Sequence, residues 1–128
     1  MQEERRLSKR ISAKVITKCI KSGTETQTID HFLSFTKDIS LQGACLITSK
    51  EMQQGERIAV VLELPTYFMP VLVYGEVAWA RDTSKLGISL RHLTEAGVRF
   101  LRMEEFDNKK LEDFLKFKEH KAHPTPFA

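Results

Sequence analysis

The stretch DISLQG, residues 38–43, connects two runs that favour β-strands, residues 27–37 and 44–49. Asp and Ser side chains hydrogen-bond readily to nearby backbone groups and therefore favour turns. Gly43 permits either a positive φ or the close approach of another group. The stretch predicts a turn between two strands. Its polar side chains also suit a guanine base, because an ionised Asp accepts hydrogen bonds from the N1–H and amino donors and a Ser hydroxyl bonds either way.

A second signal is the basic sequence RRLSKR at positions 5–10. Each guanidinium is a planar fork of donors that fits a phosphate group and also the O6/N7 edge of guanine. Arg6 and Arg10 would share a helix face, but no apolar stripe accompanies them, so we predict a flexible ligand-binding arm over residues 1–12. Taken alone, two arginines at this spacing are more typical of a solvated basic terminus.

The two signals together, Arg6-x-x-x-Arg10 followed by Asp38-x-Ser40-x-x-Gly43, resemble the PilZ family, the cyclic di-GMP receptor domain of bacteria. A third element, GEVAWAR at 75–81 followed by LGISL at 86–90, is similar to the later strands of that family. The resemblance covers residues 4 to 100, and both key motifs are intact. Three short motifs in the right order are more specific than any one of them.

The resemblance implies a role for each motif residue. Arg6 and Arg10 pair with phosphates and guanine edges, Asp38 and Ser40 contact a guanine base or its sugar, and Gly43 lets the ligand approach the backbone. Arg5 directly precedes the first motif arginine. In this family an Arg at that place often accompanies two stacked ligand molecules, so the resemblance leaves one or two ligands per chain open.

Trp79 and Arg81 have two interpretations at the level of sequence. One is a core tryptophan followed by an arginine at the end of a strand. The other places both at the border of the ligand site, where the indole offers a stacking face and the guanidinium adds a positive charge over the same pocket. The sequence does not decide between them.

The chain reads as mostly β, with short apolar runs separated by Gly, Pro and Asp. Six strands of this spacing predict a single six-stranded antiparallel PilZ-like β-barrel over residues 13–93. The predicted strands are 14–22, 27–37, 44–49, 57–64, 71–81 and 86–93.

Residues 94–120 predict a C-terminal helical segment, followed by a frayed tail over 121–128. Thr94 can cap a first helix with Val98, Leu101 and Phe106 on one face, and Asp107 can cap a second. The second helix would carry apolar residues at helical spacing, namely Leu111, Phe114 and Leu115. The segment either covers an open end of the barrel or, through Phe114 and Phe117, forms a surface for a partner or a second copy.

Composition indicates one folded domain, since 41% of the 128 residues are hydrophobic. No apolar run approaches the ~20 residues that span a bilayer. The N-terminus lacks the apolar segment of a secretory signal, so we expect a cytoplasmic protein. Cys19 and Cys45 are predicted to be small buried hydrophobic residues without a disulfide.

The positive charge is local, because seven of the 20 Lys and Arg residues, against two of the 17 acidic residues, lie in the first 21 positions. A protein that binds double-stranded DNA usually carries a wider basic stripe, so a compact anion is favoured over nucleic acid. The sequence has no catalytic motif, and His120 and His123 lack a third ligand. We therefore predict no enzyme, no metal site and no cofactor beyond the bound ligand.

The favoured function is a cyclic di-GMP-binding receptor or adaptor that changes conformation with ligand and signals through a protein partner. Two alternatives remain open. One is a PilZ-like adaptor that acts through protein contacts without binding nucleotide. The other is a small β-barrel that binds single-stranded nucleic acid, although such barrels usually show several aromatic residues on the strand face.

Overall fold

Seven strands and one helix account for most of the residues that the computed structural model describes, which are 9–22, 29–65, 70–83 and 93–122. The elements are β1 (Ile11–Ser12), β2 (Ile16–Ser22), β3 (Ile29–Ile39), β4 (Gly43–Thr48), β5 (Arg57–Leu62), β6 (Val71–Asp82), β7 (Thr94–Met103) and α1 (Glu105–Ala122).

The six longer strands form a closed antiparallel barrel. They pair in the order β3-β2-β5-β6-β7-β4, and β4 pairs back with β3 to complete the circle. The short strand β1 adds to β3 alongside this ring, with Ile11 opposite Ile39. The predicted fold class, a six-stranded antiparallel barrel, is therefore confirmed, but the barrel runs through Met103, past its predicted end at residue 93.

Alternate residues of the strands fill the barrel interior. β6 shows this clearly, because Val71 and Val73 are buried whereas Leu72 and Tyr74 between and beside them are exposed. Side chains of one strand point to opposite faces of the sheet with a period of two. The alternation therefore decides which residues reach the outer surface, where a ligand could bind.

Both cysteines are buried and free, as predicted. Burial raises the pKa of both thiols, and the neighbouring Glu95 carboxylate helps to raise that of Cys45 to about 11. The thiolate is the reactive form of cysteine. These two residues therefore act as packing groups of the barrel.

Helix α1 covers the barrel with one apolar face. Leu111, Phe114 and Leu115 are buried in the same core as the strands, and the predicted spacing of these three residues is confirmed. Asp107 lies in the first turn, where a negative charge is favourable. Because Phe114 is buried it cannot contribute to a partner surface, whereas Phe117 remains exposed.

The prediction that a helix begins at Thr94 is wrong, because residues 94–103 form β7. This strand pairs with both β4 and β6 and closes the barrel, a long-range contact that overrides local helical spacing. Leu101 lies exposed on the outside of the barrel, and Phe106 near the start of α1 is also exposed. The helix thus begins at Glu105, eleven residues later than Thr94.

Several predicted segments lie wholly or partly outside the described residues. These are most of the predicted strand 86–93, most of the arm and nearly all of the tail. The described part of the arm, residues 9–12, ends in β1 on the edge of β3, and α1 extends through Ala122 into the predicted tail.

Candidate ligand-binding site

The turn that follows β3 is built around the Ser40 side chain. The Ser40 hydroxyl oxygen accepts hydrogen bonds from the backbone N–H groups of Gln42 at 3.1 Å and Gly43 at 3.2 Å. The backbone N–H of Ser40 donates to the Gly43 carbonyl at 2.8 Å. Ser40 is only 2% exposed. The hydroxyl therefore holds the turn in shape, as the propensity of Ser for such bonds predicts.

A β-bulge in β3 places Asp38 on the outside of the barrel. Thr36 pairs with Leu46 and Asp38 with Cys45, so Lys37 is an extra residue on this strand. A bulge reverses the alternation of the residues that follow it. Without it Asp38 would point towards the core, where an unpaired carboxylate is costly.

The outward carboxylate of Asp38 binds Arg10, the second arginine of the basic motif. The Arg10 Nη1 to Asp38 Oδ1 distance is 2.7 Å, and 54% of the Arg10 side chain remains exposed. Two residues that the sequence places 28 positions apart are thus in direct contact. Asp38 holds the guanidinium in one place while leaving donors of the fork accessible.

A second bulge, in β6, turns Trp79 outward. Val77 pairs with Val98 and Trp79 with Gly97, so Ala78 is the extra residue. Strict alternation would have buried Trp79 with Val77, but the indole is 42% exposed. Its pyrrole ring lies against Gly97, where the Cβ atom of any other residue would collide with it.

These groups line one open depression with a volume of about 370 Å³ on the outer surface. It brings together four of the predicted site residues, and Asp38 adjoins it through Arg10. Arg5 and Arg6 lie outside the described residues. The lining residues are Arg10, Ser40, Gln42, Gly43, Ala78, Trp79, Gly97, Val98 and Arg99.

Arg81 lies beside this depression and not in its lining. Its Nη2 donates to Glu95 at 2.9 Å, and its guanidinium carbon is 5.8 Å from the centre of the Trp79 ring. Burial would raise the pKa of Glu95, but the hydrogen bonds from Arg81 and Cys45 and the charge of Lys37 outweigh it, and the pKa is lowered. The ionised carboxylate therefore holds Arg81 next to the indole.

Gly43 is explained by the barrel itself. It pairs with Arg99 of β7, and a Cβ atom at this position would run into the carbonyl oxygen of Val98. Of the two reasons for a glycine that the sequence suggests, the structure supports close approach, and the approaching group is a neighbouring strand.

Sequence reasoning missed two polar side chains of the depression, Gln42 and Arg99. Gln42 lies inside the DISLQG stretch at a position that the motif leaves open. Arg99 was assigned to a helix, and only its pairing with Gly43 and Glu76 in the barrel brings it to this surface. No local signal marks it.

The PilZ domain model matches residues 4–117 of this chain. This span includes every described strand and α1 from Glu105 to Phe117. The chain therefore belongs to the PilZ family, whose domains typically bind cyclic di-GMP and are generally non-catalytic receptor domains.

Solved structures share the same fold. The PilZ domain of YcgR from Escherichia coli, solved with c-di-GMP, has a TM-score of 0.64 and 17% identity over 92% of this chain and 94% of its own. MotI/DgrA of Bacillus subtilis, an inhibitor of motility, has a TM-score of 0.69 and 13% identity over 91% of this chain and 52% of its own. MrkH of K. pneumonia in its apo state has a TM-score of 0.67 and 18% identity over 89% of this chain and 51% of its own.

This chain spans about half the length of MotI/DgrA and MrkH. A search of curated proteins finds no match to the sequence. Among the described residues, no helix combines the length and apolar character needed to span a bilayer.

Proposed function

We propose that this chain is a cyclic di-GMP receptor and that the ligand binds in the depression between Arg10 and Trp79. The observation that carries the proposal is that Arg10, in its ion pair with Asp38, lines the same depression as an exposed indole. It joins the two motifs of the family at a single surface. A guanidinium suits phosphate and guanine, and an indole face suits a purine ring.

The roles of the motif residues differ in kind. Arg10 contacts the ligand directly, and Asp38 positions Arg10 and is itself available to a guanine amino group. Ser40 acts on the ligand through the turn that it stabilises, which presents Gln42 to the depression. Arg5 and Arg6 supply further positive charge when the arm closes over the anion. Trp79 stacks on a base, and Arg81 steadies the indole.

Ligand binding would order the arm and so pass the signal to a partner protein. Residues 9–12 already lie on the barrel, with Arg10 bound to Asp38, so the proposed closure concerns the part of the arm before Lys9. Without ligand, repulsion among the arginines and chain entropy oppose that closure. The phosphates of cyclic di-GMP neutralise that charge and permit closure, which is coupled ordering on binding. The downstream partner is another protein, recognised through the surface that the closed arm creates or hides.

Titration calorimetry tests the receptor function. We expect cyclic di-GMP to bind more tightly than GTP or cyclic AMP, because two guanines and two phosphates engage both motifs at once. Absence of heat and of a shift in melting temperature with cyclic di-GMP would favour the adaptor that binds no nucleotide. Preferential binding of a single-stranded oligonucleotide would favour the nucleic-acid alternative.

The same titration measures the stoichiometry. If Arg5 helps to hold a stacked pair, wild type saturates at two ligands per chain and Arg5→Leu shifts the endpoint towards one. A stacked pair concentrates four phosphates, and loss of one of three cations removes part of the field that offsets their repulsion. An endpoint of one ligand in both proteins would exclude the stacked pair and leave the receptor function standing.

A further inference from the structure

We propose that Arg99 is an additional residue of the depression that contacts the ligand. When ligand binds, the Arg99 guanidinium releases Glu76 and binds an anionic group of the ligand. The proposal rests on the proposed function. Arg99 belongs to neither family motif, yet it lines the same depression as Arg10. Both residues thus present a guanidinium to one surface.

The position of Arg99 follows from strand register. Gly43, Arg99, Glu76 and Arg57 are direct neighbours in four adjacent strands, β4, β7, β6 and β5. Arg99 thus has a carboxylate on one side and, on the other, a glycine without a side chain. The Arg99 Nη2 to Glu76 Oε1 distance is 2.9 Å, and 63% of the Arg99 side chain is exposed.

Glu76 is shared between two arginines, Arg57 and Arg99. Arg99 can therefore easily exchange this carboxylate for a group of the ligand. Arg57 Nε lies 3.6 Å from the other carboxylate oxygen, Oε2. When Arg99 turns to a ligand, Glu76 therefore keeps a positive neighbour. Exposed ion pairs of this kind contribute little to stability, whereas a guanidinium–phosphate pair is bidentate and charge-assisted. Replacement of the Arg99–Glu76 pair by an Arg99–phosphate pair therefore favours the ligand-bound arrangement.

Calorimetry with cyclic di-GMP on matched variants tests this role. We expect Arg99→Gln to weaken binding about tenfold, the scale of one lost charged hydrogen bond. Arg102→Gln, on the same strand but in the lining of a different depression, should change binding less than twofold. Equal effects of the two variants, in a wild type that binds, would overturn the inference while leaving the receptor function intact.

Glu76→Gln is expected to change the affinity for cyclic di-GMP in the opposite direction. Removal of the carboxylate frees Arg99, so binding should tighten about two- to threefold. In the Arg99→Gln background the same change should have no effect, because the residue that it releases is gone. An equal gain in both backgrounds would mean that Glu76 acts only through its charge, and the exchange would be excluded. Failure of wild type to bind would refute both the receptor function and this inference.

Discussion

Arg10→Ala is expected to weaken cyclic di-GMP binding by about 2 kcal/mol, roughly 30-fold, without lowering the melting temperature of the free protein. The side chain is more than half exposed, and its ion pair with Asp38 lies on the surface. Such pairs contribute about 0–1 kcal/mol at most. Loss of the Arg10 side chain therefore affects ligand affinity far more than the stability of the fold.

Lys18→Ala is the matched control for this experiment. Lys18 is also an exposed cation with one acidic partner, Glu63, but it lies on β2, away from the depression. Calorimetry should show wild-type affinity for this variant. If the two variants bind equally well, Arg10 does not contact the ligand. If Arg10→Ala unfolds at a clearly lower temperature, its role is structural.

The second large effect is expected at Gly43, and it is on stability. Gly43→Ala should lower the free energy of unfolding by about 1–3 kcal/mol, the range for an overpacked site. The added methyl group meets the backbone oxygen of Val98, which cannot rotate away as a side chain can. Relief of the clash requires β4 and β7 to separate, and these strands close the barrel.

Chemical denaturation of Gly43→Ala and Gln42→Ala checks this expectation. Gln42 is exposed in the same turn, so its truncation should leave the free energy of unfolding nearly unchanged. A Gly43→Ala protein of wild-type stability that fails to bind cyclic di-GMP would contradict the structural explanation. The glycine would then serve the approach of the ligand, as the family resemblance implies.

Strands β2 to β6 and the buried face of α1 were predictable because local patterns encode them. Val71 and Val73 alternate with exposed residues, and Leu111, Phe114 and Leu115 recur at helical spacing. β7 was not predictable in this way. Its Val98 and Leu101 fit a helical face, and Gly97 gives no strand signal, so the strand exists because β4 and β6 both need a partner.

Part of the candidate site was predictable as a set of residues, but its surface was not. The motifs identify Arg10 and Asp38, yet the bulges that turn Asp38 and Trp79 outward depend on strand register. A single extra residue reverses the face of every residue beyond it. For this reason the sequence left Trp79 undecided. Arg99 was predicted to be helical for another reason, the helical spacing of Val98 and Leu101.

The most direct test of a ligand site in this depression is the NMR signal of the one tryptophan in the chain. The Trp79 indole N–H lies in the proposed site, next to Gly97. Titration with cyclic di-GMP should shift this signal, and the amide signals of Gln42 and Gly97, along one saturating curve that matches calorimetry. Suppose instead that calorimetry shows binding while the indole signal does not move and the shifts are confined to the far side of the barrel. That result would contradict a ligand site in this depression.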